Sequence, residues 1–227
     1  LMAGHRLGEY TARACAGALG FADAVRLVRL RAEAMQSAVP EGVGAMAAVL
    51  GLDDDAVRAV CAEAAQGEVL EAVNFNSPGQ VVIAGNKSAV DRGCALAKEK
   101  GAKRALPLPV SVPSHCALMQ PAAKKLAAAL AGIEIKAPAV PVLHNADVMA
   151  YTDPDAIRDA LARQLYMPVR WVETIQDMGR QGVQLIAECG PGKVLAGLNK
   201  RILDTVPTQA ITDVATLQDV LAKSRGD

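Results

Sequence analysis

The sequence predicts an α/β protein with a mostly parallel sheet and a smaller inserted subdomain. Apolar strand-like runs alternate with helical segments in the first forty residues and again after residue 111, which is typical of a parallel sheet covered on both faces. A glycine-spaced turn joins the first apolar run to the first helix. The pattern of residues 41–110 instead predicts a strand, a helix, two strands, a helix and a strand in that order. We therefore expect an α/β-hydrolase-like core from residues 1–40 and 111–227, and a ferredoxin-like βαββαβ subdomain from residues 41–110.

Composition limits the class of protein and its partners. The chain has 227 residues, of which 52% are hydrophobic, enough for a sizeable core. Its 24 Lys and Arg balance 24 Asp and Glu, so no overall field attracts nucleic acid or an anionic membrane. No apolar run approaches the length of a membrane span. We expect neither nucleic acid nor a membrane as partner, and any recognition of anions must be local.

Cysteine and histidine usage indicates a reducing compartment and no metal site. The five cysteines show no regular spacing, which favours free thiols in the cytoplasm. The three histidines, His5, His115 and His144, are too dispersed to suggest a zinc site. The chain starts with Leu1 inside an apolar run, so we expect an amino-terminal part to be missing.

The elements follow from periodicity, caps and breakers. In the core we expect helices and strands in this order: helices 8–19 and 22–39, helix 120–131, strand 140–145, helices 155–165 and 171–181, strand 183–188 and helix 193–204, with a frayed end after residue 222. In the insert we expect strand 44–50, a helix from the Asp53 cap to residue 66, strands 68–75 and 80–84, helix 88–101 and strand 104–110.

The turn Gly4-His5-Arg6-Leu7-Gly8 has the glycine spacing of a nucleophile elbow. Such a turn presents its central side chain to a cleft, and in a nucleophile elbow we expect that side chain to be a serine. The centre is Arg6, whose guanidinium stays protonated and cannot attack a carbonyl carbon.

Arg31 lies on the apolar stripe of the second helix, between Val28 and Met35. An inward arginine is costly unless it meets a carboxylate. One interpretation is an internal ion pair with Glu9 or Glu188. The other is bidentate capture of a substrate carboxylate, for which a planar guanidinium is well suited.

Taken together, several stretches resemble the malonyl-CoA:acyl-carrier-protein transacylases of fatty acid synthesis. The matching stretches are GHRLGEYTA, VRLVRLRAEAMQ, GAMAAVLGLD, AVNFNSPGQVVIAG, GAKRALPLPVSVPSHC, RQLYMPVRW and ECGPGKVL. They extend from the first residues to about residue 204. The family also carries early strands and a glycine loop ahead of the elbow, and these have no counterpart here.

The resemblance implies a ping-pong transfer. A serine takes malonate from malonyl-CoA and passes it to the phosphopantetheine thiol of acyl carrier protein, with no cofactor besides the CoA thioester substrate. Because Arg6 replaces that serine, we expect this chain to be inactive. The alternative is a non-catalytic module that binds carrier protein or CoA and keeps the acyltransferase fold. A hydrolase is disfavoured, because it has no use for Arg31 or for the insert.

The resemblance also assigns roles to residues. His115 would be the general base, Gln164 would help to hold its imidazole, the backbone N–H of Leu7 would be an oxyanion donor, and Arg31 would bind the malonyl carboxylate.

Four other residues near the predicted site have plainer interpretations. Met35 is expected as pocket wall or core. Asn74 and Asn76 either line the cleft or serve turn chemistry, which we favour for Asn76. His144 is expected to be structural.

Overall fold

A computed structural model describes residues 1–110 and 112–225. Ser111, Gly226 and Asp227, which the expected core includes, lie outside the described residues. The chain divides into two compact units, residues 1–171 and 172–227, and each is described by itself.

The first unit contains helices and strands in mixed order. They are β1 (Met2–Ala3), α1 (Gly8–Cys15), α2 (Phe21–Gln36), β2 (Gly44–Leu50), α3 (Asp54–Ala65), β3 (Leu70–Ser77), β4 (Gln80–Asn86), α4 (Lys87–Glu99), β5 (Arg104–Pro107), a 3-10 turn (Ala117–Met119), α5 (Gln120–Leu130), β6 (Val142–Leu143) and α6 (Pro154–Arg163). Helix α7 (Trp171–Arg180) begins at the boundary, and the second unit continues with β7 (Ile186–Cys189), α8 (Val194–Ile202), β8 (Thr208–Ile211) and α9 (Val214–Arg225).

The α/β class is confirmed, with both parallel and antiparallel sheets. Strand β1 pairs in parallel with β6, and β7 pairs in parallel with β8. The parallel part thus consists of two separate pairs. Strand β6 is two residues long, shorter than the expected strand 140–145, because Pro141 precedes it and the chain turns at once, with the His144 N–H donating to Met149 O.

Residues 44–107 form a four-stranded antiparallel sheet with strand order β3-β4-β2-β5. Along the chain the elements run β2, α3, β3, β4, α4, β5. Asp53 caps α3 through its side chain, which accepts from Ala56 N at 2.7 Å. The tight β3–β4 turn fixes the register and uses Gly79 at a left-handed φ of 71°.

Helices α1, α2, α5 and α6 bury a common apolar core. Its fully buried members come from all four helices and include Tyr10, Leu27, Leu126, Leu130 and Leu161. This packing fixes the buried face of α2, and Arg31 lies on that face.

Several expected boundaries were wrong for local reasons. Helix α1 ends at Cys15 because Gly17 adopts a left-handed φ of 73° and Ala18 N closes the turn on Arg13 O. Helix α2 ends at Gln36, where the Ser37 hydroxyl donates to Ala34 O. Strand β5 stops at Pro107, and Pro109 also lacks the N–H that a longer strand needs.

The expected frayed end was wrong for residues 223–225, which belong to α9. The sequence carried a signal for this helix in Asp213, whose carboxylate accepts from Thr216 N at 2.8 Å. The preceding strand β8 was also missed. Among the described residues, no helix is long and apolar enough to cross a membrane.

Gly4 packs directly beneath the first turn of α1. A Cβ added at Gly4 would lie 2.0 Å from the carbonyl carbon of Gly8, a distance that no side chain tolerates. A Cβ added at Gly8 would meet nothing within 4 Å. Packing therefore requires a glycine at position 4 of the elbow, whereas at position 8 it leaves room for a side chain.

Gly4→Ala is expected to destabilise the protein by roughly 3 kcal/mol or more, because the methyl group overpacks the helix backbone. Gly8→Ala is the matched control and should be neutral or stabilise by about 0.5–1 kcal/mol through helix propensity. Urea denaturation followed by the fluorescence of the single tryptophan measures both. Equal effects of the two substitutions would contradict the packing assignment.

Candidate active site

The elbow has the strained backbone that the sequence predicts. Arg6 adopts a left-handed φ of 57°, which is uncommon for a residue with a side chain. Two carboxamides hold its main chain. The Arg6 N–H donates to Asn145 Oδ1 at 2.7 Å, and Gln164 Nε2 donates to Arg6 O at 3.0 Å. The central side chain is therefore fixed in direction by residues far away in sequence.

His115 is fully buried and faces the elbow. Its Nδ1 lies 2.7 Å from Gln164 O, and Arg6 Nε donates to its Nε2 at 3.1 Å. A carbonyl oxygen only accepts, so the proton is assigned to Nδ1 and the lone pair of Nε2 receives the Arg6 N–H. Burial, then the charges of Arg6 and Arg31, hold the pKa of His115 well below its ordinary 6.5. The imidazole is neutral and its basic nitrogen is occupied.

Gln164 forms hydrogen bonds to several residues of the site, with both its main chain and its side chain. Its carbonyl oxygen accepts from His115, while its Nε2 donates to Arg6 O and to Glu9 Oε2, the latter at 2.8 Å. Its Oε1 accepts from Arg31 Nη2 at 3.2 Å. The contact with the imidazole is thus made by the backbone, and the side chain orients the arginine.

Arg31 is 7% exposed and forms no ion pair with the described residues. Its guanidinium carbon lies 6.0 Å from the centre of the Tyr10 ring, and its buried Nε has no hydrogen-bond partner among the described residues. Burial lowers the pKa of Arg31 from its ordinary value. Glu188, the other partner considered from the sequence, accepts from Leu195 N and Ala196 N within the second unit.

Glu9 makes its direct contacts elsewhere, although its charge partly offsets the effect of burial on the pKa of Arg31. Its Oε2 accepts from Asn145 N at 3.0 Å and from Gln164 Nε2, and its Oε1 lies 2.5 Å from His144 Nδ1. Arg13 contacts the other nitrogen of His144. Sequence analysis missed Glu9 as an organiser of the site, although its i, i+4 spacing to Arg13 places the two charged residues on one face of the helix after the elbow.

The backbone N–H of Leu7 follows the elbow centre directly. No hydrogen bond within residues 1–110 and 112–225 uses this N–H, and the Leu7 side chain points outward, 49% exposed. Leu7 is the N-cap of α1, so its N–H lies at the positive end of the helix dipole. A free donor here suits an oxyanion.

The remaining predicted residues divide between core and site. Met35 is buried in the helical core. Asn74 is buried at a bulge of β3, and its Oδ1 has no partner among the described residues. The turn interpretation was wrong for Asn76, which lies within β3 and contacts His5 Nε2 through its Oδ1 at 2.9 Å.

His5 packs edge-on against Trp171, with ring centroids 5.2 Å apart. Burial lowers the pKa of His5 to about 4, which the contact with Asn76 only partly offsets. His144, by contrast, is fully buried between Glu9 and Arg13. Within the described part of the chain, no group of His, Cys, Asp and Glu could hold a metal ion.

Comparison with known proteins identifies the family to which this chain belongs. Residues 1–218 match the acyl transferase domain family, and the chain belongs to that family. It is 60% identical to the malonyl CoA-acyl carrier protein transacylase of Escherichia coli over 221 residues, which are 97% of this chain and 72% of that protein.

Solved structures agree in fold. An acyl carrier protein S-malonyltransferase from Vibrio cholerae superimposes with a TM-score of 0.95 at 61% identity, over 96% of this chain and 71% of the other. A malonyl-transacylase in complex with its type II PKS acyl-carrier protein gives a TM-score of 0.96 at 56% identity, over 98% and 72% of the respective chains.

Glu9→Gln is expected to destabilise the protein by roughly 3 kcal/mol, because an amide cannot accept from all the buried donors that the carboxylate serves. Glu33→Gln is the control, since Glu33 lies exposed on α2 and should change stability by less than about 0.5 kcal/mol. Urea denaturation measures the difference. A loss below 1 kcal/mol for Glu9→Gln would contradict its organising role.

Stability is expected to fall on acidification below pH 6.5. His5, with a pKa of about 4, and His115, with a pKa well below 6.5, stay neutral in the folded protein, whereas both gain a proton in the unfolded chain. Each therefore contributes a slope of about 1.4 kcal/mol per pH unit as the pH falls from 6.5 towards the folded pKa.

Thermal or urea unfolding between pH 7.5 and 5 checks this slope. His5→Gln should remove one of the two contributions and leave the other. Stability that is independent of pH over this range would contradict the neutral state of both rings.

Proposed function

We propose that this cleft is the site at which the family transfers malonate from malonyl-CoA to the phosphopantetheine thiol of acyl carrier protein, and that the chain with Arg6 does not carry out the transfer. One observation supports this most directly. The side chain at the centre of a strained elbow meets the Nε2 of a buried histidine at 3.1 Å. This is the contact that a nucleophile and its base require.

With a serine at position 6, His115 would accept the hydroxyl proton as the oxygen attacks the thioester carbon. The Leu7 N–H would stabilise the oxyanion, and CoA would leave as its thiol. In the second half of the reaction, the carrier thiol would attack the acyl-serine carbon. The serine oxygen would leave and regain its proton from His115. Arg31 would bind the free carboxylate of the malonyl group, which acetyl lacks.

Arg6 blocks this chemistry in two ways. Its guanidinium has no nucleophilic lone pair, and its Nε–H occupies the lone pair that the base would use. Removal of a catalytic serine in comparable sites costs on the order of 10⁶ in kcat. An inactive chain follows from both effects.

A non-catalytic binding module remains the second candidate. A cavity of about 310 Å³ lies beside Arg6, lined also by Met46, Leu108 and Ser114. The cleft therefore keeps room for a ligand although the nucleophile is lost. We further propose that residues 41–110 form the subdomain bordering this cleft and that the protein works in the cytoplasm, where free thiols such as Cys15 persist.

Transfer of radiolabel from malonyl-CoA to holo acyl carrier protein tests the enzyme assignment. We expect no transfer with the parent chain or with Arg6→Ala, and measurable transfer with Arg6→Ser. Failure of Arg6→Ser to transfer label while it still binds malonyl-CoA would favour the binding module.

In the Arg6→Ser background, Arg31→Ala should reduce malonyl transfer at least a hundredfold more than acetyl transfer, because only malonyl has the second carboxylate. Arg29→Ala is the matched control, exposed on the same helix and paired with Glu33. Equal losses with both acyl groups would show that Arg31 serves the fold.

A further inference from the structure

The cavity of about 310 Å³ beside Arg6 combines a cation with a mostly apolar wall. Gln36 and Ser114 contribute polar side chains to the lining, and no Asp or Glu of the described residues belongs to it. Val110 is 47% exposed, so part of the apolar wall is in contact with water. The apolar lining residues are Met46, Leu108, Pro109, Val110 and Val112. A cavity of this composition favours a ligand with an apolar body and an anionic group.

Arg6 brings to the cavity a guanidinium that has no carboxylate partner among the described residues. Its Nε donates to His115 Nε2 at 3.1 Å, and that imidazole is neutral because burial and the arginine charges hold the pKa of His115 well below 6.5. Burial and the charge of Arg31 also lower the pKa of Arg6 from its ordinary value. A partly buried cation without a counter-ion is unfavourable, and a bound anion relieves that cost.

The free edge of the Arg6 guanidinium matches a carboxylate in shape. Because Nε is bound to His115, the N–H groups of Nη1 and Nη2 remain, and no hydrogen bond to a described residue uses them. Two of these N–H groups are parallel and fit the two oxygens of one carboxylate. His115 holds the side chain at Nε, and Asn145 and Gln164 hold the main chain of Arg6. A donor group that is already held in place loses less freedom when it binds a ligand.

Charge and volume limit the ligand to a monoanion of moderate length. Arg6 is the charged residue among the described residues that line the cavity, so a second anionic group would lie against apolar side chains without a partner. An apolar cavity of about 150 Å³ holds benzene. About twice that volume accommodates roughly ten to twelve non-hydrogen atoms, as in a straight-chain carboxylate of about eight to ten carbons.

We propose that Arg6 makes this cavity a reversible binding site for a free straight-chain aliphatic monocarboxylate. The carboxylate lies at the Nη1 and Nη2 edge of the guanidinium, and the hydrocarbon chain lies along Met46, Leu108 and Val110. No covalent bond forms or breaks. A serine at position 6 would hold an acyl group as an ester, whereas Arg6 binds the acid itself. The inference rests on Arg6 and the cavity that it lines, and it requires neither the proposed transfer nor a carboxylate at Arg31.

Isothermal titration calorimetry of the full chain with octanoate, butanoate and octanamide tests the proposal. Octanoate should bind at one saturable site. Butanoate should bind at least tenfold more weakly, because it lacks four methylene groups that each contribute about fourfold in affinity when buried. Octanamide should also bind at least tenfold more weakly, because a neutral amide forms no charge-assisted pair with the guanidinium.

Variants separate the cation from the apolar wall. Arg6→Gln should reduce the affinity for octanoate to that for octanamide and leave the affinity for octanamide nearly unchanged. Val110→Asp should weaken octanoate binding at least tenfold, because it places an anion in the apolar wall. Val25→Asp is the matched control and should bind like the parent, since Val25 is similarly exposed, at 51%, and does not line the cavity.

Thermal unfolding separates a lost site from a lost fold. Without ligand, Arg6→Gln should unfold at about the temperature of the parent, because Asn145 and Gln164 bind the main chain at position 6. Octanoate should raise the unfolding temperature of the parent and of Val25→Asp, and leave that of Arg6→Gln unchanged.

Equal affinity of the parent for octanoate and octanamide would overturn the proposal, as would equal affinity for octanoate and butanoate, unchanged octanoate binding by Arg6→Gln, or no saturable binding. The comparison of the three ligands uses the parent chain alone, so it decides the matter even where a variant fails to fold. These titrations contain no thioester and no serine at position 6. Their failure is therefore distinct from failure of the label-transfer experiment.

Discussion

The hydrogen bonds that hold the main chain of Arg6 are the constraint on which the site depends. A left-handed residue with a side chain is unfavourable alone, and it persists because Asn145 accepts its N–H while Gln164 donates to its carbonyl. Glu9 in turn accepts from the Asn145 backbone and the Gln164 amide. One buried carboxylate thus fixes the elbow from the helix that follows it, and Gly4 allows that helix to pack closely enough.

The same carboxylate determines which hydrogen-bond donors and acceptors its neighbours present to one another. Because Glu9 only accepts, the Gln164 carboxamide presents Nε2 to it and Oε1 to Arg31, which orients the guanidinium. The Gln164 carbonyl then defines the tautomer of His115, whose Nε2 faces the elbow. The elbow, His115, Gln164 and Arg31 are therefore parts of one hydrogen-bond network. The bonds from position 6 to Asn145 and Gln164 are made by the main chain of Arg6, so they do not depend on the identity of its side chain.

The contrast between predicted and observed elements follows from what local sequence encodes. Strand 44–50 and the Asp53 cap were predicted correctly because alternation and caps are local signals. Boundaries such as Cys15 and Pro107 were missed where a left-handed glycine or a second proline ended the element early. Asn76 was misassigned because its Pro-Gly neighbours indicate a turn, which begins two residues later.

The sequence by itself determined the elbow, the inward Arg31 and the absence of a serine, because glycine spacing, helical periodicity and residue identity are readable without neighbours. Only the tertiary structure decided that His115 meets Arg6 across 109 residues and that the Gln164 side chain donates to Glu9 while it accepts from Arg31. These contacts join segments that the chain brings together only when the helical core packs. Their strength comes from burial, a property that no local pattern carries.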